Sequence, residues 1–190
     1  MRYDAGRRAR TRQKILDSAG RRFRQDGIAG TGLASVMADA GLTIGAFSAH
    51  FPKKEDLLVE LLATTLETQA QSIKGRSLDD VIRAYLTPAH RDAPDVGCIN
   101  ATLVSELSRQ PEAVRKRYSD GLARVIDQVA ALVVSGDDVQ RRRTAWSVFA
   151  HVIGVLQLSR AIADDTLSHQ ILEDGVRTAL QLAAAPRAEA

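Results

Sequence analysis

An all-α protein is what this sequence predicts. Apolar residues recur at three- and four-residue spacing through most of the 190-residue chain, and no stretch alternates apolar and polar residues as a half-buried strand would. Glycines, prolines and short capping side chains fall between the periodic segments. With 45% hydrophobic residues the chain can fill the core of one or two packed units.

The elements follow in order. In "TRQKILDSAGRRFRQDG", Ile15, Leu16, Ala19 and Phe23 recur at helical spacing and Gly27 supplies a C-terminal stop. The other face of this first helix carries Arg21, Arg22 and Arg24, and a flexible arm with Arg2, Arg7, Arg8, Arg10 and Arg12 precedes it. After Gly30, Thr31 and Gly32, a second helix of barely two turns carries Leu33, Val36, Met37 and Ala40 and ends at Gly41. Thr43 is placed to N-cap a third helix from Ile44 to His50, and Pro52 reopens the chain.

A fourth helix runs from about Lys53 to Ile73 with Leu57, Leu58, Leu61, Leu62 and Leu66 in its apolar stripe, and Gly75 closes it. Ser77 caps a fifth, with Leu78, Val81, Ile82, Tyr85 and Leu86; "AHRDAPDVG" then reads as a loop. A sixth helix starts at about Cys98 and carries Ile99, Leu103 and Leu107. Pro111 opens a long seventh with Val114, Tyr118, Leu122, Val125, Ile126, Val129 and Val133. Asp137 caps an eighth helix reaching about Ala163, and Thr166 a ninth reaching about Ala184. The eighth is apolar on two sides, with Trp146, Phe149, Ile153 and Leu156 on one and Val148, Val152, Val155 and Ile162 on the other. Such a helix needs cover on both sides, which predicts a homodimer through the last two helices, against the alternative of a central helix buried in one subunit.

Charge is unevenly placed. Residues 1–54 hold 11 Lys/Arg against 4 Asp/Glu, whereas the rest of the chain holds 15 against 19. A basic module on a mildly acidic body points to a polyanion partner for the first module alone. The single cysteine, Cys98, excludes an internal disulfide and cannot build a zinc site by itself, which fits a reducing cytoplasm. The start of the chain has no signal-peptide pattern, and its longest apolar run, "SVFAHVIGVLQLS", is too short and too interrupted to span a bilayer. A soluble cytoplasmic protein without membrane contact is expected.

Two short helices joined through a glycine-centred turn form a helix-turn-helix unit, whose second helix lies in the major groove of DNA. Here the unit follows a basic helix and precedes a Phe-Pro break in the only strongly basic part of the chain. From residue 11 to 62 the sequence resembles the tetracycline-repressor (TetR/AcrR) family of bacterial transcriptional regulators. "ILDSA", the turn from Phe23 to Gly27, "ADAGLT", Gly45 two residues past Thr43, and "HFPKKEDL" all fall in the family's order. Beyond residue 62 the likeness is looser, though "GCINATLVSEL" is similar to the branch with "GC" opening its sixth helix.

The resemblance implies a nine-helix subunit, with a DNA-binding domain over 1–52 and a helical ligand-binding and dimerisation domain over 53–190. It implies a ligand-responsive regulator, most often a repressor, that binds a double-stranded operator as a dimer and is released by a small-molecule effector. The third helix departs from the family, whose members commonly carry a basic or polar residue at Ile44, tyrosine at Ser48 and arginine or a similar group at Ala49. The candidate DNA contacts are Arg7, Arg8, Arg10, Arg12, Thr43, Ile44, Ser48, His50, Lys53 and Lys54. No Arg, Asn or Gln on the third helix can bridge a base, so specificity should rest on apolar contacts, water and DNA shape.

Candidate ligand-lining residues are Leu62, Leu66, Tyr85, Cys98, Leu103, Tyr118, Trp146 and Phe149, each of which taken singly reads as core before pocket. They carry no concentrated charge, so a mostly apolar effector is expected. Such a ligand would act through movement of the fourth helix. The histidines His50, His90, His151 and His169 show no metal-ligand spacing, and no nucleophile motif or phosphate loop is present, so neither enzyme activity nor a metal or cofactor is expected. The competing reading is a TetR-like dimer with degraded DNA recognition that binds a small molecule or a protein.

Overall fold

The computed structural model describes the backbone of residues 2–184 and side chains from Gly6 onward. Its elements are α1 (Arg2–Gly30), α2 (Leu33–Asp39), the 3₁₀ helix η1 (Ile44–Ala49), α3 (Lys54–Ile73), α4 (Leu78–Tyr85), α5 (Pro88–Asp92), α6 (Asn100–Leu107), α7 (Glu112–Ala131), α8 (Asp138–Ala161) and α9 (Asp165–Ala184). Among the described residues there is no strand, and no helix is long and apolar enough to cross a membrane. The chain forms two compact units. One runs to Thr65 and resumes over Pro94–Tyr118; the other holds Leu66–Ala93 and the chain from Ser119 on.

The first unit is built on α1. Ile15, Leu16, Ala19 and Phe23, the stripe read from the sequence, are buried together with Val36, Met37, Phe47 and Phe51. One expectation for this helix is corrected. The residues taken for a flexible arm are helical, because alanine and arginine favour helix and Gly6 alone does not outweigh them. Gly27 breaks the helix where expected: with φ 77° and ψ 167° it is non-helical, and one further turn follows the kink to Gly30. The Arg2 side chain lies outside the described residues. The third helix is 3₁₀ rather than α, with Ala46 N–H donating to Thr43 O at 3.0 Å and His50 N–H to Phe47 O at 2.8 Å. Six residues including Gly45 suit a short, tight helix, and the Thr43 side chain makes no cap bond.

In the second unit α8 and α9 form a tightly packed hairpin. A Cβ on Gly175 would lie 2.4 Å from Val155 Cγ1, and the His151 ring nitrogen meets Gly175 O at 3.0 Å. Asp137 and Gln140 form a reciprocal capping box at the start of α8. At α9 the cap is Asp164, whose carboxylate accepts Leu167 N–H at 2.8 Å, instead of the expected Thr166. The segment read as a loop contains α5, because Pro88 starts a turn that Thr87 caps through His90 N–H at 3.1 Å. Arg160 holds α5 by donating to the carbonyls of Arg91 at 3.0 Å and His90 at 2.8 Å. Arg91 reaches Ser168 at 2.8 Å and Asp165 at 3.0 Å. On α8, Val148, Val152, Ile153 and Leu156 are buried, while Trp146 and Leu158 are 41% and 55% exposed.

Gly27→Ala should be costly, since its φ is left-handed and the new Cβ would lie 2.4 Å from Glu106 Oε1. A urea melt is expected to show a loss of about 1–3 kcal/mol. Gly30→Ala, whose Cβ meets only Asp26 Cβ at 3.7 Å, should be neutral or slightly stabilising in the same assay.

Candidate nucleic-acid interface

The junction between α1 and α2 positions everything that follows it. The kink at Gly27 turns the last carbonyls of α1 away from helical partners, and polar side chains from elsewhere in the unit take them up. Thr31 Oγ1 donates to Gly27 O at 2.7 Å, and Lys54 Nζ donates to Ile28 O at 2.5 Å and Thr31 O at 2.6 Å. On the donor side, Ala29 N–H is bound by Glu106 Oε2 at 2.9 Å. An ammonium from α3 and a carboxylate from α6 therefore grip the same five residues.

Asp39, at the end of α2, ties that helix back to α1. Arg21 reaches its carboxylate at 3.0 Å, the Ser18 hydroxyl lies 3.0 Å away, and Arg22 is at 3.7 Å. The Arg21 hydrogen bond first, then that of Ser18, holds the Asp39 carboxyl below its ordinary range. Of the three arginines read as one exposed face, Arg21 and Arg22 thus serve this clamp. Arg24 is partly buried, and burial lowers its pKa.

From α2 the chain turns at Gly41, with φ 70°, into η1. Phe47 and Phe51 anchor η1 from below, their rings stacked 5.8 Å apart and both buried. Arg12 lies 4.0 Å over the Phe51 ring, donates through Nε to Glu60 at 2.8 Å, and also bonds the His50 carbonyl. Its hydrogen bond to Glu60 raises the Arg12 pKa above the usual value. Arg8 donates to Ala49 O at 2.9 Å. Two arginines of the presumed arm thus satisfy carbonyls at the end of η1.

The candidate residues therefore divide. Arg7, Arg8, Arg10, Thr43, Ile44, Ser48 and Lys53 are exposed. Arg12 and Lys54 are half-buried and committed to internal partners. His50 is half-buried, and its Nδ1 has no hydrogen-bond partner among the described residues. Burial first, then Arg8 and Arg12, pushes its pKa below the ordinary 6.5, so it is neutral at pH 7. Arg7, Arg8, Thr11, Ala49 and His50 line one open hollow of about 450 Å³, wide enough for a phosphodiester group. Thr11 was not singled out in the sequence; the helical continuation of α1 through residue 11 brings it there.

The proposed ligand-lining residues fall in both units. Leu62 and Leu103 are buried in the first. There the Asn100 amide donates to Cys98 Sγ at 3.3 Å and accepts the Tyr118 hydroxyl at 2.8 Å. Burial pushes the Tyr118 phenol up to about 12. In the second, Leu66 is buried, Phe149 half-buried, and Tyr85 packs edge-on to His90 with centroids 4.6 Å apart. Trp146 faces outward instead, beside an open hollow shared with Asp127, Val139 and Arg142. Among the described residues no three His, Cys, Asp or Glu side chains could hold a metal ion.

The two-helix unit and its supports coincide with a known family. Residues 15–61 match the family model described as bacterial regulatory proteins, tetR family. Over that segment the chain is similar to the TetR family. It is 47% identical over 51 residues to the HTH-type transcriptional regulator AcrR of Shigella flexneri, a match that covers 27% of this chain and 24% of that protein. The HTH-type transcriptional repressor AcnR of Corynebacterium efficiens is 27% identical over 134 residues, 70% of each chain. The crystal structure of reduced E. coli NemR superposes with a TM-score of 0.75 at 20% identity, covering 94% of this chain and 99% of that one. The all-α fold expected from the sequence is thus the TetR fold, here with ten helical elements among the described residues instead of nine.

Two outcomes follow for this TetR-like unit. Lys54→Met strands the carbonyls of Ile28 and Thr31, so a urea melt should show a loss of about 1–3 kcal/mol, while Lys53→Ala leaves the midpoint unchanged. Asp39 has a folded pKa below its ordinary 3.8, so its contribution is present above about pH 4 and is lost as pH falls through the lowered value. Asp39→Asn should be less stable than wild type at neutral pH, and the difference should shrink on acidification, as followed by thermal melts between pH 7 and 2.5.

Proposed function

We propose that this chain is a ligand-responsive transcriptional regulator, most simply a cytoplasmic repressor, that binds operator DNA as a homodimer. The observation that carries the reading is that Arg7 and Arg8 line one open hollow with Ala49 and His50 at the end of a helix-turn-helix unit, while Arg10, Lys53, Thr43, Ile44 and Ser48 are also exposed. Backbone phosphates would be neutralised by those four cations, while Thr43 and Ser48 donate to phosphate oxygens and Ile44 meets base edges. His50 joins as a neutral group at the hollow. Arg12 and Lys54 keep their place in the reading as positioning residues, the first fixing the end of η1 and the second the α1–α2 junction.

In this reading residues 1–52 form the functional DNA-binding domain and residues 53–190 the dimerisation and effector domain. The exposed Trp146 and Leu158 on α8 support pairing of the last two helices with those of a second copy. A small, mostly apolar molecule, taken up either beside Leu62, Cys98, Leu103 and Tyr118 in the first unit or beside Leu66, Tyr85 and Phe149 in the second, would favour a dimer geometry unable to meet successive major grooves. The η1 helix, which carries no cationic side chain, favours the competing reading of a ligand-binding dimer that has lost operator recognition.

The test is binding of the purified chain to a duplex from its own upstream DNA and to a scrambled duplex across a salt series. Preference for the upstream duplex with a steep salt dependence is expected; Lys53→Ala should weaken binding to both duplexes and reduce the salt slope by about one. Equal, weak and salt-insensitive binding to every intergenic duplex tried would favour the competing reading. For the dimer, Leu158→Asp should yield a monomer in sedimentation, with the emission of Trp146, the sole tryptophan, shifted to longer wavelength.

A further inference from the structure

Four facts about η1 bear on what it can recognise. Its sequence, Ile-Gly-Ala-Phe-Ser-Ala, has no charged or amide side chain, so no bidentate hydrogen bond to guanine or adenine can come from it. Ile44 at its first position is 54% exposed, although burial of an isoleucine is ordinarily favourable. Phe47 is buried and ring-stacked on Phe51, so the apolar demand of the core is already met without Ile44. Gly45 has no internal reason to be glycine: its φ is not positive, and a Cβ there would find nothing within 4 Å.

In a helix-turn-helix unit the N-terminal residues of the second helix contact base edges. The only major-groove feature that an aliphatic side chain can distinguish there is the C5-methyl group of thymine. A glycine directly after the aliphatic residue removes the side chain that would hold the backbone away from the groove. Thr43, exposed on the other side of Ile44, adds a second methyl and a hydroxyl.

We propose that Ile44 is the specificity-determining residue of this protein, reading the C5-methyl of a thymine in each operator half-site, and that Gly45 permits the close approach this contact needs. The inference rests on the operator-binding reading above. Recognition is then a methyl-to-methyl contact whose loss can be produced from either side of the interface.

The test begins with selection of duplexes from a randomised pool by the full-length chain. The selected site is remade with deoxyuridine in place of each thymine in turn, a change that removes one methyl group and keeps every hydrogen-bonding atom. At one thymine per half-site, wild-type affinity should fall about fourfold per methyl, roughly 15-fold when both half-sites are changed. Ile44→Ala should bind the thymine duplex as weakly as wild type binds the uracil duplex, and should not respond to the uracil change. Gly45→Ala should keep its urea midpoint and bind every duplex more weakly. Sequence-selective binding with no uracil effect in wild type would overturn the Ile44 assignment and leave operator binding intact. Gly45→Ala binding at wild-type strength would overturn the close-approach part. No enrichment of any sequence would overturn the operator reading and this inference with it.

Discussion

The five residues from Gly27, where the chain kinks, to Thr31 are the constraint on which the first unit depends. A positive φ there throws α1 off its axis and exposes carbonyls and an amide that a continuing helix would have paired. Lys54 from α3 takes the carbonyls of Ile28 and Thr31, and Glu106 from α6 takes the amide of Ala29. These charge-assisted bonds to backbone are stronger than neutral ones and fix direction as well as distance. α2 leaves from this junction, and η1 leaves from α2, so the angle at which η1 is presented is set here.

The same logic separates cations that hold the protein together from cations that remain for a partner. Counting arginines and lysines in residues 1–54 overstates how many remain free of internal partners. Arg12 is spent on Glu60, the His50 carbonyl and the Phe51 ring; Arg21 and Arg22 on Asp39; Lys54 on the junction. Exposed ion pairs such as Arg83 with Asp79 contribute little to stability. The half-buried groups bound to backbone matter more, because removing one leaves a polar atom unmatched.

The helices were legible wherever an apolar stripe exceeded about two turns, because burial of one face decides such segments. The stripe of α1 and the cap of α8 at Asp137 were read at the residues where they occur. Short elements were not: α5 looked like a loop because Pro88 reads equally as breaker and as starter, and η1 differs from an α-helix only in which carbonyl each amide chooses. Within the site, identity was visible and availability was not. Lys53 and Lys54 are indistinguishable in sequence, and the partner of Arg12 lies 48 residues away, where no local pattern points to it. Trp146 misled because an aromatic on an apolar helix reads as core, yet α8 is apolar on a side its own unit leaves open.

Gly175 has a mechanical consequence. Without a side chain at that point α9 sits hard against Val155 and Leu86, and the His151 imidazole ties the two backbones of the hairpin together. With Arg91 and Arg160 lashing the corner near Ser168, α8 and α9 have no slack to bend or slide past one another. A torque applied at one end of this hairpin must emerge at the other as rotation of a stiff paddle, undamped by side-chain repacking.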